Sequence, residues 1–499
     1  MDNMLPLDPL ILVGSFLTGT DLSSFSRCNK HLHRSFTSTQ ADHLFHALCL
    51  RELGVDEKKL FMKPFDVDCE FWLEVYRDWR TELRDYNLDD VKRMKIFWDD
   101  FKHELRRQGA SEVVDSLGHR CSVAEIKDIE DSIFDNSNIG DVEKVDEYEN
   151  SHRKCMPSVL SLMYRFVNGQ KYRSRTVPKH GMFGGYSKYG EVSNVMFLSL
   201  EDLPSISDAF RAICQNYAAT SDDLFNSITS INRDAYRDYH MHDNFLPFAF
   251  CASGGKVFVL GRSNSVCVLT AERKLLYCNP IPPRSSCPFL DWLEDYIMCL
   301  KNDIYRYEST DIIERDRISR LLVLYPLPKP SCQDPHACFQ QILNCKIESM
   351  QSVAITEGIE VRAGAVFVPE QSSRGNLIFV YTIRLRLIAD HQSRDPRMTS
   401  ARLTHRHWRI TSQLGGAEQH VDGEGVIGLY PHLRIGDECS EEHFSDGWFG
   451  YQSQTVQIAP GGTLRGFMDF AAFDKFGSNY KQIQVQLGEI SFIVPDYIR

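Results

Sequence analysis

No two of the fifteen cysteines stand at a C-x-x-C spacing, their number is odd, and the 499 residues contain no N-x-S/T acceptor for glycosylation. These absences argue against a secreted disulfide scaffold and against a zinc finger. They favour a reducing cytosol or nucleus, where most cysteines act as small buried hydrophobes. Long apolar runs are missing too: stretches such as Leu10 to Val13 fall far short of the roughly 20 residues that span a bilayer. The segment L-I-L-V-G-S-F-L has the length of a leader's apolar core, but Asp2 and Asp8 precede it without Lys or Arg. No small-residue cleavage pattern follows, so secretion is not expected. A basic excess is also lacking, since the formal charge is −12, and non-specific binding to a phosphate backbone is disfavoured. Finally, there is no RING-type cysteine and histidine array, no G-x-S-x-G elbow, no H-E-x-x-H helix and no G-K-[ST] phosphate loop. The expectation is a chain with no catalytic residue, no cofactor and no bound metal.

What is present is the composition of a folded globular protein, 42% apolar and 25% charged, long enough for about three domains. Leu10, Val13 and Leu17 recur on one helical face, with Leu22, Phe25, Leu32 and Phe36 on a second and Leu44, Phe45, Leu48 and Cys49 on a third. They outline a small helical bundle. Aromatic-rich amphipathic helices follow to about residue 115, and Trp72, Tyr76 and Trp79 are spaced as a core stripe. From Ile126 to His152 the chain turns acidic, and the second half of that run reads as a loop. A mixed α/β texture comes next, with a helix over Pro157 to Val167, strand-like V-M-F-L-S-L and K-V-F-V-L, and a helix through Trp292, Leu293 and Tyr296. The four prolines of Y-P-L-P-K-P-S-C-Q-D-P mark a linker. Everything beyond it alternates like the strands of an antiparallel sandwich or barrel.

One motif in that β region calls for chemistry. Gly423 to Gly428 read G-E-G-V-I-G, matching the dinucleotide fingerprint G-x-G-x-x-G. The fingerprint works only where the glycines turn a strand into a helix whose first amides hold a pyrophosphate. Here Pro431 and Gly436 break any such helix. Gly423, Gly425 and Gly428 are therefore expected to serve backbone geometry, with ligand binding the weaker reading. His405 and His407 share a strand face without an evident third ligand, His420 included, and Cys332, His336, Cys338 and Cys345 fit no zinc spacing.

Three stretches resemble known families. Leu5-Pro6, D-L-S-S-F-S-R-C-N-K-H-L and L-F-H-A-L resemble an F-box; S-V-A-E-I-K-D-I-E, M-P-S-V-L-S-L-M-Y-R-F-V-N-G and G-M-F-G-G-Y resemble the SUKH (Smi/Knr) module. R-H-W-R-I-T, D-G-E-G-V-I-G-L-Y-P and G-G-T-L-R-G-F-M-D-F resemble the ApaG family, whose G-x-G-x-x-G sits in a sandwich without a βαβ unit. The chain departs from that pattern between Asp437 and Tyr451, where an acidic insertion stands. Modules in this order resemble the F-box only protein 3 family.

The resemblance implies a multidomain α+β chain: an F-box over 1–52, a helical connector over 53–92, and a central α/β SUKH-like domain over 93–322 with an acidic loop near 134–154. A linker over 323–345 and an ApaG-like antiparallel β-sandwich of immunoglobulin/fibronectin-like type over 346–499 complete it. It further implies a substrate receptor of an SCF-type cullin-RING ubiquitin ligase, in the cytoplasm or nucleus, with the Skp adaptor and protein substrates as partners and no nucleic acid or membrane. Leu5, Pro6, Leu10, Leu17, Leu22, Phe25, Leu32 and Phe45 would divide between adaptor contact and bundle packing. A protein-binding scaffold without ligase activity is the alternative.

Overall fold

The computed structural model describes residues 18–19, 21, 24, 42–61, 69–135, 155–170, 181–188, 191–218, 245–251, 257–261, 263–269, 275–278, 284–301, 305–314, 317–326, 351–368, 371–373, 375–412, 418–435, 448–459 and 461–494. The chain divides into two compact units, Met1–Phe101 with His119–Asn168, and Lys102–Gly118 with Gly169–Arg499. No helix among the described residues is long and apolar enough to cross a membrane.

The first unit is helical: α1 (Asp42–Leu48), a π-helical turn over Cys49–Leu53, α2 (Trp72–Glu82), the start of α3 (Leu88–Arg107), α5 (Val123–Asp135) and α6 (Ser158–Phe166). The expected stripe is core, with Trp72, Tyr76 and Trp79 all buried beside Leu44, Phe45, Leu48 and Cys49. Asp42 ties α1 to α2 by accepting the Trp72 N–H on one oxygen and Lys58 Nζ on the other. Deeper in the unit, Phe61 stands edge-on to Trp79 and Phe166, and Arg165, with no exposed surface, donates to Cys121 O and Glu82 Oε2. Arg120 lies over the Phe61 ring, and burial together with the Arg165 guanidinium pushes its pKa down to about 10.

The second unit opens on the end of α3 and α4 (Ser111–Asp115). It continues through β1 (Gly185–Lys188), β2 (Glu191–Asn194), β3 (Met196–Phe197), α7 (Leu203–Ala218), β4 (Leu246–Phe250), β5 (Val257–Leu260), β6 (Val266–Leu269), β7 (Leu275–Tyr277) and α8 (Pro288–Lys301). Sheet order β3-β4-β5-β6-β7 is antiparallel throughout. The mixed α/β texture thus resolves into an antiparallel sheet rather than βαβ units: β4 to β7 follow one another as antiparallel neighbours, and α7 stands between the antiparallel pair β3 and β4. Strand alternation sends Val257, Val259 and Cys267 towards Phe210 of α7, and Phe248 and Phe258 towards Trp292 of α8. Gln170, fully buried, stitches the loops above the sheet: its Oε1 accepts the Met182 N–H at 2.7 Å and the Phe197 N–H at 3.3 Å, while its Nε2 donates to Ser116 Oγ. Buried Asp291, in the first turn of α8, accepts from the Arg284 and Ser285 amides and from Ser285 Oγ. The described cysteines are thiols, most of them buried, and burial pushes Cys49 up to about 12.

After the hairpin β8 (Tyr305–Glu314) and β9 (Arg317–Pro326), whose last residue is the first proline of the expected linker, every element among the described residues is a strand. One sheet has the order β10-β11-β12-β16, from β10 (Gln351–Thr356), β11 (Ile359–Phe367), β12 (Leu377–Leu387) and β16 (Phe449–Gln457). The other has β14-β13-β17-β18, from β13 (Ser400–Thr411), β14 (Gln419–Glu424), β17 (Gly462–Phe473) and β18 (Asn479–Phe492), with β15 (His432–Arg434) also on β13. Their inner faces share one core around Phe379, Ile383, Trp408, Met468, Phe470 and Val485. This is the expected sandwich. Ser352 Oγ of β10 donates to Gly488 O, and Thr356 Oγ1 accepts the Gln486 N–H, so β10 side chains close the β18 edge.

Replacing Gln170 by Leu leaves the buried Met182 and Phe197 amides without their acceptor, and should cost about 2–5 kcal/mol in urea unfolding. In α8, burial pushes the Asp295 carboxyl up to about 6 against the opposing pull of Arg284, while an unfolded aspartate titrates near about 3.9. Because the folded pKa is the higher one, this group's contribution is fully present below about pH 4 and is lost as pH rises through about 6. Asp295→Asn should flatten that slope by roughly 2 kcal/mol between pH 4 and 6.5, read as the difference between variant and wild-type urea curves.

Candidate functional site at the edge of the C-terminal sandwich

Paired residues of an antiparallel ladder point to the same face, so the register of β13 fixes where its side chains go. Ala401 and Leu403 pair with Ala472 and Phe470; the register then shifts at Thr404; afterwards Arg406, Trp408 and Ile410 pair with Met468, Gly466 and Leu464. These residues face the core. His405, His407 and Arg409 face outward, opposite Glu424, Asp422 and His420 of β14.

The glycine motif lies at this break. Gly423 pairs with Arg406, and a Cβ there would stand 3.3 Å from the Arg406 guanidinium, which donates to Glu424 O and, at 2.6 Å, to Gly425 O. Gly425 has φ +56, and a Cβ on it would come within 2.4 Å of Leu429 O. Val426 and Leu429 then exchange N–H···O bonds across Ile427 (φ 44) and Gly428 (φ 80), the pattern of a two-residue turn with two left-handed residues. Gly425 and Gly428 thus hold left-handed backbone, and Gly423 leaves room for the Arg406 guanidinium. Pro431 and β15 follow, not a helix. The Gly425, Val426 and Leu429 amides already donate to Thr404 O, Leu429 O and Val426 O, so the turn does not present them as a phosphate cradle.

On the outer face, His407 lies between two carboxylates, with Nδ1 2.7 Å from Asp422 Oδ1 and Nε2 3.1 Å from Asp469 Oδ2, and its ring stacks on Phe467. His405 is its stacked neighbour, whereas His420 faces Glu418. Both His407 nitrogens are engaged, and no cluster of three His, Cys, Asp or Glu residues among those described is arranged to hold a metal. Tyr430 donates its hydroxyl to Glu424 Oε2, and that carboxylate raises the Tyr430 pKa.

Of the expected adaptor-contact residues, Phe45 is buried and packs towards Tyr76, 6.1 Å between ring centroids, which places it on the packing side. Leu5, Pro6, Leu10, Leu17, Leu22, Phe25 and Leu32 lie outside the described residues, as do Cys332, His336, Cys338, Cys345 and the second half of the acidic run.

A family model described as the ApaG domain matches residues 369–472. The ApaG protein of Anaeromyxobacter dehalogenans is 39% identical over 115 residues, covering 23% of this chain and 77% of that protein. The chain belongs to the ApaG family. The ApaG protein of Stenotrophomonas maltophilia is 38% identical over 118 residues, covering 23% of this chain and 78% of its own length. The similarity is not confined to the ApaG domain: the F-box protein SKIP16 of Arabidopsis thaliana is 24% identical over 485 residues, 92% of each chain.

Within the ApaG domain, one cluster is not disclosed by strand alternation alone. Trp448, at the head of β16, is buried with the guanidiniums of Arg362, Arg384 and Arg386 4.4–5.0 Å from its ring centroid. Buried Glu360 accepts from Arg362 and Arg386. The alternating E-V-R and R-L-R of β11 and β12 was the available signal, since it puts these charges on one face of the sheet. No local pattern points to the tryptophan that covers them.

Gly425→Ala should destabilise the ApaG domain by at least about 2 kcal/mol, through left-handed backbone and the clash with Leu429 O. Ile427→Asn should stabilise it by about 1 kcal/mol, because asparagine tolerates the left-handed region that a β-branched residue resists. Thermal unfolding of the two variants beside wild type reads both signs.

Proposed function

We propose that this chain is the substrate-recognition subunit of an SCF-type ubiquitin ligase, binding the Skp adaptor through residues 1–52 and protein substrates through its later domains. The observation that carries the reading is the similarity to an F-box protein across 92% of both chains, with the ApaG domain at the C-terminal end. Leu5, Pro6, Leu10, Leu17, Leu22, Phe25 and Leu32 are the adaptor-contact candidates, and the SUKH-like and ApaG domains are the substrate-binding ones. The chain itself performs no bond-making step in this reading. It holds a substrate beside the charged E2 of the ligase core and so raises the effective concentration of the substrate's lysines. The site of action is the cytoplasm or nucleus.

Full-length chain should co-purify with the Skp adaptor and cullin, and removal of residues 1–50 should abolish this while leaving the ApaG domain folded. Full-length chain that folds but captures no adaptor would overturn the reading. If depletion of the chain then left the half-lives of its bound partners unchanged, the scaffold alternative would take its place.

A further inference from the structure

The turn at Val426–Leu429 is anchored in the core by Val426, yet its tip residue Ile427 carries a backbone cost that its own side chain does not recover by burial. Ile427 is β-branched and left-handed, yet it is 48% exposed, and Leu429 and Tyr430 beside it are 42% and 40% exposed. The turn imposes left-handed backbone on Ile427, and an exposed β-branched side chain at that position, where glycine or asparagine would cost less, points to a role for what the tip presents. Three adjacent apolar side chains on a protruding turn form a knob rather than scattered surface residues.

The charges around the knob define what fits it. Tyr430, His432 and Arg434 alternate onto the outer face along the edge, and Arg402 lies beside His432 in register and 5.9 Å from the Tyr430 ring centroid. Arg402 and Arg434 are both exposed and form no salt bridge among the described residues. The edge-strand acids of this face lie on β14: Glu424 keeps its charge while accepting the Tyr430 hydroxyl, and Asp422 is bonded to His407. An apolar knob with Arg402 at its base and Arg434 further along the β15 side, neither of them in a salt bridge among the described residues, is complementary to apolar side chains followed by carboxylates.

We infer that the Ile427–Tyr430 turn, with Arg402 and Arg434, is a docking surface for an acidic segment of a partner protein that carries aliphatic or aromatic anchors. This deepens the receptor reading, on which it rests, by assigning substrate capture to this edge of the ApaG domain. Ile427 and Leu429 would seat the anchors, while the two arginines would pair with the carboxylates, bidentately where geometry allows.

The test is a selection of random 15-residue displayed peptides on the full-length chain, followed by fluorescence anisotropy of the enriched peptides. Peptides rich in Asp and Glu around Leu, Ile or Phe should be enriched. They should bind at least about tenfold more weakly to the Ile427→Asn chain, whose thermal midpoint is not lowered. Arg402→Gln with Arg434→Gln should weaken binding and flatten its salt dependence. Enrichment of neutral or basic peptides, no enrichment, or affinities indifferent to Ile427→Asn would each sink the inference. Concentration-dependent dimerisation that Ile427→Asn abolishes would instead assign the knob to a second copy and equally overturn it. If neutralising Glu441 and Glu442 to Gln were needed before any acidic peptide bound, the chain's own acidic segment would be the occupant, and a partner would not. Adaptor co-purification, measured on the same preparations, separates the two failures: peptide binding without adaptor binding sinks only the ligase reading, and the converse sinks only this surface.

Discussion

The register break at Thr404 governs the C-terminal half of this protein. A strand in a sandwich alternates strictly, so one inserted residue exchanges its faces. Before the break β13 sends Ala401 and Leu403 inward, and after it Arg406, Trp408 and Ile410. Without the shift, His405 and His407 would face the core and Trp408 would face solvent. The partner strand must break at the same level, and it does so by splitting into β14 and β15 with the glycine turn between them. Arg406, brought inward at the break, then holds the carbonyls of Glu424 and Gly425 over the space that Gly423 leaves open.

Much of this was legible in the sequence, for identifiable reasons. The stripe Trp72, Tyr76, Trp79 and the alternating strands beyond residue 351 are local periodicities, and burial follows local periodicity when one face has a core to join. The failure of G-E-G-V-I-G as a nucleotide motif was legible too, because Pro431 rules out the required helix from a few residues away. Other features depend on partners distant in sequence. Asp422 and Asp469 meet at His407 from strands on either side of β13, and Arg362 of β11 meets Arg384 and Arg386 of β12 under Trp448. Such groupings are set by register and topology, and no window of single-chain sequence contains them.

The Trp448 cluster also fixes the start of strand β16. Strand β16 pairs with β12 along its length, from Phe449 against Leu385 to Gln457 against Leu377. The segment that precedes it returns to the sheet at a tryptophan stacked on guanidiniums, an attachment that joins apolar burial to cation–π attraction. An inserted segment can vary in length and charge without cost to the core when its end is fixed in this way.

The same architecture limits how a partner can use the five-stranded sheet. An exposed edge strand ordinarily offers its amides and carbonyls to another strand. Here one edge, β18, is closed by side chains of β10, and the other is short and interrupted by the turn that buds from it at Gly425. Extending the sheet by a continuous added strand is therefore blocked on one side and broken on the other. Recognition at this face has to proceed through side chains that stand clear of the backbone, and the strained turn supplies them at the point where the edge is interrupted.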